Sequence, residues 1–232
     1  MRPSLDHSKV AWWGNRDSLT VVNLDNLEIK DYPMAVGKGA ELVTYDICTI
    51  YQELIYILKE SGKEKMIYGY DMKTHEVLGL WMYENPLFND YGITCRSLAV
   101  NEKAKIIAIG GQACLKNEAK LRPFISIHNI EHGKYPIQTT LSFDYLEDSI
   151  NTLEFLLFAK KPTLLATDSS KVMVMEYQGN QLHMLQIVKI HTSDINCLTF
   201  HRSDVYTGSD DKTVAKISLH GRYASSIASK LD

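Results

Sequence analysis

The stretch from His191 to Leu219 combines side-chain types that could form a catalytic or metal-binding site. Its sequence, HTSDINCLTFHRSDVYTGSDDKTVAKISL, contains histidine, aspartate, cysteine and hydroxyl side chains. A carboxylate can orient an imidazole that activates a hydroxyl, as in a hydrolytic triad, but a triad also needs an exposed nucleophile and an oxyanion hole. Nothing in the stretch marks either of these. The single histidine and aspartate of HTSD also make a weak metal site, since zinc sites use three or four ligands.

Other motifs for cofactor chemistry are missing from the sequence. The glycine-containing stretches AVGKGAE (35–41) and GGQACLK (110–116) lack the pattern of a phosphate-binding loop. The histidines are scattered, and the cysteines are far apart without a C-x-x-C pair: Cys48, Cys95, Cys114 and Cys197. This favours reduced, mostly buried thiols, and we expect no cofactor and no metal.

Composition narrows the class of protein. The chain has 232 residues, of which 45% are hydrophobic and 23% charged, and its net charge is −3. These values are ordinary for a globular protein, and a nucleic-acid-binding domain would more often be basic. The sequence contains no apolar run of the roughly 18 residues that span a membrane, and its start lacks the layout of a signal peptide. We therefore expect an intracellular, cytoplasmic protein that binds no nucleic acid and inserts into no membrane.

The apolar segments that must position these residues are short. SLTVVNL (18–24), ELIYIL (53–58), KIIAIGG (105–111) and KVMVMEY (171–177) are rich in β-branched residues and are separated by clusters of turn residues. Such segments predict strands, and the fold class is all-β.

Two sequence elements recur along the chain. GSDDKTVAKISL (208–219) resembles the strand b–turn–strand c segment of a WD40 repeat, which is close to GSxDxTVKIWDL, with Ile217 at the tryptophan position. The corresponding pairs elsewhere are Val22-Asn23, Tyr70-Asp71, His128-Asn129 and Met175-Glu176. Successive copies are separated by 48, 58, 47 and 42 residues, near the family period of about 40–45. INCLTF (195–200), INTLEF (150–155) and ITCRSL (93–98) repeat as strand a at the matching phase, and YDICTI (45–50) is a looser copy.

The resemblance implies a WD40-like β-propeller with about five blades in a single region, 1–232. The approximate units are 1–38, 41–84, 92–143, 148–188 and 190–232. The first unit starts at strand b, KVAWWGN (9–15), with no strand a before it. Because seven blades of 40–45 residues need about 280–320 residues, we expect an incomplete ring or part of a larger propeller. A closed five-bladed ring stays an alternative.

The same resemblance gives the His191 stretch a structural role. It implies a buried hydrogen-bond network of His191, Asp211 and either Ser209 or Thr207, from which Ile217 removes the usual indole donor. Cys95 and Cys197 fall at one repeat position, which indicates packing within strand a. We therefore expect no enzyme.

The function that follows is a protein–protein interaction scaffold in a multi-subunit complex, with no small-molecule substrate. The expected contacts for an acidic partner are basic residues of two loops, 59–65 and 112–122: Lys59, Lys63, Lys65, Lys116, Lys120 and Arg122. One alternative is a peptide-binding adaptor, such as a ubiquitin-ligase substrate receptor. Another is a propeller hydrolase with a central metal, to which strand a offers Asn151 and Asn196 but no set of carboxylates. Cytoskeletal, ciliary and nuclear complexes would each accept such a scaffold.

Overall fold

The computed structural model describes most of the chain and shows an all-β protein. The described residues are 2–3, 8–13, 18–33, 46–51, 54–61, 64–82, 85–88, 92–116, 118, 120–130, 137–143, 146, 148–156, 159–201, 203–219 and 225–230. They form twenty strands in five four-stranded sheets. We call each sheet a blade and name its strands a to d in chain order. The described part of the chain contains no helix, and therefore none that could cross a membrane.

The first of two compact units, residues 1–85 with 129–136, contains two blades. Each is an antiparallel meander in which consecutive strands pair. Blade 1 consists of β1 (Arg2–Pro3), β2 (Lys9–Trp13), β3 (Ser18–Asn23) and β4 (Ile29–Pro33). Blade 2 consists of β5 (Asp46–Tyr51), β6 (Leu54–Ser61), β7 (Glu64–Asp71) and β8 (Glu76–Met82). Apolar residues of the two blades, among them Leu19, Val21, Ile55 and Ile57, form one buried cluster.

The second compact unit, residues 86–128 with 137–232, contains three blades of the same topology. Blade 3 consists of β9 (Thr94–Asn101), β10 (Ile106–Cys114), β11 (Leu121–Asn129) and β12 (Ile137–Ser142). Blade 4 consists of β13 (Thr152–Phe155), β14 (Thr163–Thr167), β15 (Lys171–Gln178) and β16 (Gln181–Lys189). Blade 5 consists of β17 (Ile195–His201), β18 (Asp204–Ser209), β19 (Thr213–Ser218) and β20 (Ser225–Lys230).

Blade 4 shows why the apolar runs of this sequence form strands. Met173 and Met175 of β15 pack in the cluster shared with blade 3, whereas Val172 and Val174 pack in the cluster shared with blade 5. Successive side chains of a strand point to opposite faces, so a strand between two neighbouring blades is apolar throughout. The continuous run VMVM follows from this double burial.

Strand a of each blade in the second unit lies beside strand a of the next. β13 contacts β9 of blade 3 and also β17 of blade 5. Face-to-face packing of consecutive blades, with their first strands adjacent, is the arrangement of a β-propeller. The predicted fold class, all-β with five propeller blades, is confirmed. The completeness of the ring, and the single region 1–232 with its unit bounds, stay predictions.

The c strands bury four of the five predicted repeat anchors, whereas Val22 of blade 1 is only partly buried. Tyr70, His128, Met175 and Ile217 are buried. The residue after the anchor can order the turn that leads to strand d. The side chain of Asp71 accepts hydrogen bonds from the backbone N–H groups of Lys73 and Thr74 at 2.7 and 3.1 Å.

The structure corrects the prediction that the first repeat unit, residues 1–38, lacks strand a. β1 pairs with β2, with Arg2 opposite Ala11 and Pro3 opposite Val10. A strand of two residues carries no alternating pattern, and proline is depleted in strands. The sequence signal was therefore missing although the strand is present.

Both predicted loops are shorter than the sequence suggested. In blade 2, Lys59 lies opposite Met66 and Lys65 opposite Glu60, so both lysines belong to the β6–β7 hairpin, and the backbone of Lys65 is not in a loop. The Lys65 side chain is 6% exposed, which removes it from any contact surface. Lys63 and the side chain of Lys59 lie outside the described residues. In blade 3, 112–114 end β10 and 121–122 begin β11, so the loop spans only 115–120.

Candidate functional site

The residues that could do chemistry meet where blade 5 begins. The chain leaves β16 at Lys189 and forms backbone hydrogen bonds with the b–c turn of blade 4 before it enters β17. The backbone N–H groups of Ile190 and His191 donate to the carbonyl of Ser170 at 3.2 Å, and that of Ile195 donates to the carbonyl of Ser169 at 2.6 Å. This clamp directs the His191 side chain toward blade 5.

The imidazole of His191 binds both strand b and the b–c turn of its own blade. Its Nδ1 lies 3.0 Å from Oδ2 of Asp211 and 2.9 Å from Oγ1 of Thr213. Its Nε2 lies 2.9 Å from Oγ1 of Thr207. A carboxylate can only accept, so Nδ1 carries the proton and donates to Asp211. In the neutral imidazole, Nε2 then accepts from the Thr207 hydroxyl.

Asp211 is held as a carboxylate by several donors. The Thr213 hydroxyl donates to Oδ1 at 2.6 Å, and the backbone N–H groups of Thr192 and Thr213 donate at 2.9 Å. These hydrogen bonds, that from Thr213 first, keep the pKa of Asp211 well below its ordinary value, although partial burial opposes them. Asp211 is therefore ionised at neutral pH.

Of the two hydroxyls offered by the sequence, Thr207 contacts the imidazole and Ser209 does not. The Ser209 Oγ donates to the carbonyl of Ser193 at 3.1 Å and accepts from the backbone N–H of Asp211 at 3.1 Å. It orders the turn that positions Asp211. Thr213 completes the network, and sequence reasoning missed it. The sequence signal was a hydroxyl residue two positions after Asp211, in the segment DKTV.

The side chains of the blade 5 network are poorly placed to act on a substrate. The His191 side chain is fully buried and both ring nitrogens are bound within the blade. Thr207 is 1% exposed, so its hydroxyl is not an accessible nucleophile. The described residues contain no group of three or more His, Cys, Asp or Glu side chains that could hold a metal ion. The arrangement can join the entry to blade 5 with its b–c turn.

The tryptophan position of the network is filled by packing. Ile217 is 1% exposed and lies in the apolar cluster between blades 4 and 5, opposite Val205. The Ile217 side chain therefore packs among apolar side chains.

Blade 4 uses a smaller polar set at the corresponding end. The hydroxyls of Thr152 and Thr167 lie 2.7 Å apart, and both residues are buried. The next residue, Asp168, is 1% exposed and accepts from the backbone N–H groups of Ser170 and Lys171 at 3.0 and 2.8 Å. Sequence reasoning did not single out these residues. The signal was TDSS at the end of strand b, which matches the position of SDDK in blade 5.

Cys95 and Cys197 both lie in strand a, as predicted, but they differ in exposure. Cys95 is buried opposite Gly111, whereas Cys197 is exposed opposite Gly208. A bulge falls at this point of strand a in both blades. The shared repeat position therefore predicts that each cysteine lies opposite a glycine of strand b, but it does not predict how exposed the cysteine is.

Three predicted partner contacts lie at the turn of blade 3. Lys116 and Lys120 are exposed. Arg122 is half-buried, and its Nε lies 2.7 Å from Oε2 of Glu118. The structure thus leaves two of these basic groups facing solvent and pairs the third with a carboxylate.

No family model matches this chain, and a search of curated proteins finds no significant relative.

Proposed function

We propose that this chain is a WD40-like protein-interaction scaffold that works without catalysis inside an intracellular multi-subunit complex. Its blades would hold surface turns in fixed positions and so present them to other proteins. Propeller folds host many functions, so the fold by itself selects none of them. The site has to carry the proposal.

The observation that carries it is that the polar groups of the blade 5 network bind one another within the blade. Both ring nitrogens of His191 form hydrogen bonds within the blade, to Asp211, Thr213 and Thr207. A general base must be within reach of a substrate proton, and a side chain buried in this way is not. The network supports a structural role, in which the residues most capable of chemistry keep a blade in shape.

Large aliphatic side chains on the surface favour contacts with other proteins. Leu185 is 58% exposed and Ile187 is 39% exposed on β16, the edge strand of blade 4. In blade 2, Val77 and Leu78 of β8 are 49% and 44% exposed. Exposed aliphatic side chains can contribute to an interaction surface where they form a patch.

Native purification tests the proposal. A tagged copy expressed in cells of the source organism should elute with other proteins at constant stoichiometry, and the tag alone should not. Recovery of the chain as a single species under native conditions would contradict a scaffold role.

The hydrolase alternative predicts a different result. A central metal would remain with the purified chain, so elemental analysis should find a stoichiometric ion. We expect substoichiometric metal. A full equivalent would favour the enzyme, and mapping its ligands would follow.

A further inference from the structure

The turn between β10 and β11 of blade 3 is held in place by a second segment of the chain. The backbone N–H of Lys116 donates to the carbonyl of Leu87 at 3.1 Å, and Leu115 pairs with Phe88. The Phe88 ring is fully buried, and its centroid lies 4.9 Å from that of Phe124. We call the described residues 86–88, 115–116, 118 and 120–122 the blade 3 turn.

Contacts within the blade 3 turn fix its shape further. The backbone N–H of Glu118 donates to the carbonyl of Leu115 at 3.0 Å, and the Cys114 thiol donates to the carbonyl of Glu118 at 2.7 Å. Arg122 then binds the Glu118 carboxylate at 2.7 Å. A turn that is ordered before binding loses less conformational entropy when a partner docks.

The surface of this ordered turn is both apolar and positively charged. Leu87 is 51% exposed and Leu121 is 47% exposed, although leucine usually lies inside. Lys116 adjoins Leu87 through the backbone hydrogen bond, and Lys120 precedes Leu121 in sequence. Among the described residues, neither lysine has a carboxylate within ion-pair distance, and the Glu118 carboxylate binds Arg122.

We propose that the blade 3 turn binds a protein segment that presents an aliphatic side chain flanked by aspartate or glutamate. The apolar part would contact Leu87 and Leu121, and the acidic part would lie against Lys116 and Lys120. Complementary charge of this kind sets specificity and association rate, while apolar contact holds the complex. This inference rests on the proposed scaffold function and names one of its docking surfaces.

The charge pattern favours a protein segment over a nucleic acid. A nucleic-acid-binding protein can make about six to ten phosphate contacts. Among the described residues, the blade 3 turn offers two lysines without an ion-pair partner, in a chain of net charge −3. Two lysines suit a segment with one or two carboxylates. Exposed leucine side chains also form no hydrogen bond or ion pair with the phosphate groups of a nucleic acid.

A displayed library of random peptides, selected against the full chain, tests the proposal. Enriched peptides should carry Asp or Glu beside Leu, Ile or Met, and their affinity should fall as salt is added, because salt screens exposed charges. The double variant Lys116→Glu/Lys120→Glu should bind them about tenfold more weakly. Leu87→Ser, a change at an exposed position, should weaken binding without the change in salt dependence.

The matched control is Lys103→Glu/Lys189→Glu, which reverses two exposed lysines elsewhere in the same unit. It should bind the selected peptides as the unaltered chain does. Equal binding by all variants, or peptides without the acidic–aliphatic pattern, would overturn the proposal. So would binding of RNA or of anionic lipid vesicles that requires Lys116 and Lys120.

The two proposals fail in different ways. If Lys116→Glu/Lys120→Glu still recovers every native partner, the docking surface is wrong and the scaffold function stands. If the unaltered chain recovers no partner at all, the scaffold function itself is wrong.

Discussion

Nδ1 of His191 lies 3.0 Å from Oδ2 of Asp211, twenty positions later in the chain. This contact joins the segment that enters blade 5 to the turn between its second and third strands. Thr207 binds the opposite nitrogen at 2.9 Å, so the imidazole links three parts of one blade. The first two predictions follow from this link.

Replacing His191 by phenylalanine should destabilise the protein. The ring keeps much of the volume but leaves the buried Thr207 hydroxyl without its partner, and an unsatisfied buried group costs about 1–3 kcal/mol. The free energy of unfolding, measured in urea, should fall by that amount. His183→Gln is the control, because His183 is exposed on β16, and such surface changes stay within about 0.5 kcal/mol. Equal losses for both variants would show that the network carries no stability.

Asp211 should make stability depend on pH in the acid range. Its hydrogen bonds lower its pKa in the folded chain below the ordinary 3.8. The unfolded chain therefore takes up this proton at higher pH, so the stabilisation is complete above about pH 5 and is lost as the pH falls through the folded-state pKa. Asp211→Asn removes this titration. The difference in unfolding free energy between the two proteins should be smaller at about pH 3 than at about pH 6, and a difference independent of pH would contradict the assignment.

The fold was predictable where physical chemistry imposes a repeat. Every blade needs an apolar c strand between its neighbours, and the buried anchors Tyr70, Met175 and Ile217 reveal that need in the sequence. The polar turn that follows strand b is also readable, since Asp211 must accept several backbone and side-chain hydrogen bonds.

Features set by tertiary contacts were not predictable. The two residues of β1 form a strand only because β2 lies beside them. The choice of Thr207 over Ser209 depends on which hydroxyl faces the imidazole, and strand alternation alone allows both. The blade 3 turn is ordered by Phe88, which lies far from Leu115 in sequence.

Gly111 should tolerate no side chain. It lies opposite Cys95 beside the bulge of blade 3, and a Cβ there would overlap the carbonyl oxygen of Thr94 and approach the Cα of Cys95 to 3.0 Å. Both contacts are with backbone, which cannot rotate away. Gly111→Ala should lower the unfolding free energy by about 3 kcal/mol, the upper end for overpacked sites.

Gly179→Ala is the matched control for this change. Gly179 has a φ of +60° but nothing within 4 Å of an added Cβ, so only backbone strain of about 1–2 kcal/mol applies. Thermal or urea unfolding should rank Gly111→Ala as the less stable variant. The opposite order would mean that strand a moves away from Gly111 at little cost.

Ile217 stands where the WD40 pattern that this segment resembles has tryptophan, and we expect Ile217→Trp to destabilise the chain. Ile217 is 1% exposed within the cluster that includes Val172, Val174 and Val205. A larger side chain at a filled site costs about 1–3 kcal/mol. Ile217→Val, which only removes a methylene, should cost about 0.5–1.5 kcal/mol, and urea unfolding of both variants gives the comparison. A gain in stability for Ile217→Trp would show that blade 5 has room for an indole at this position.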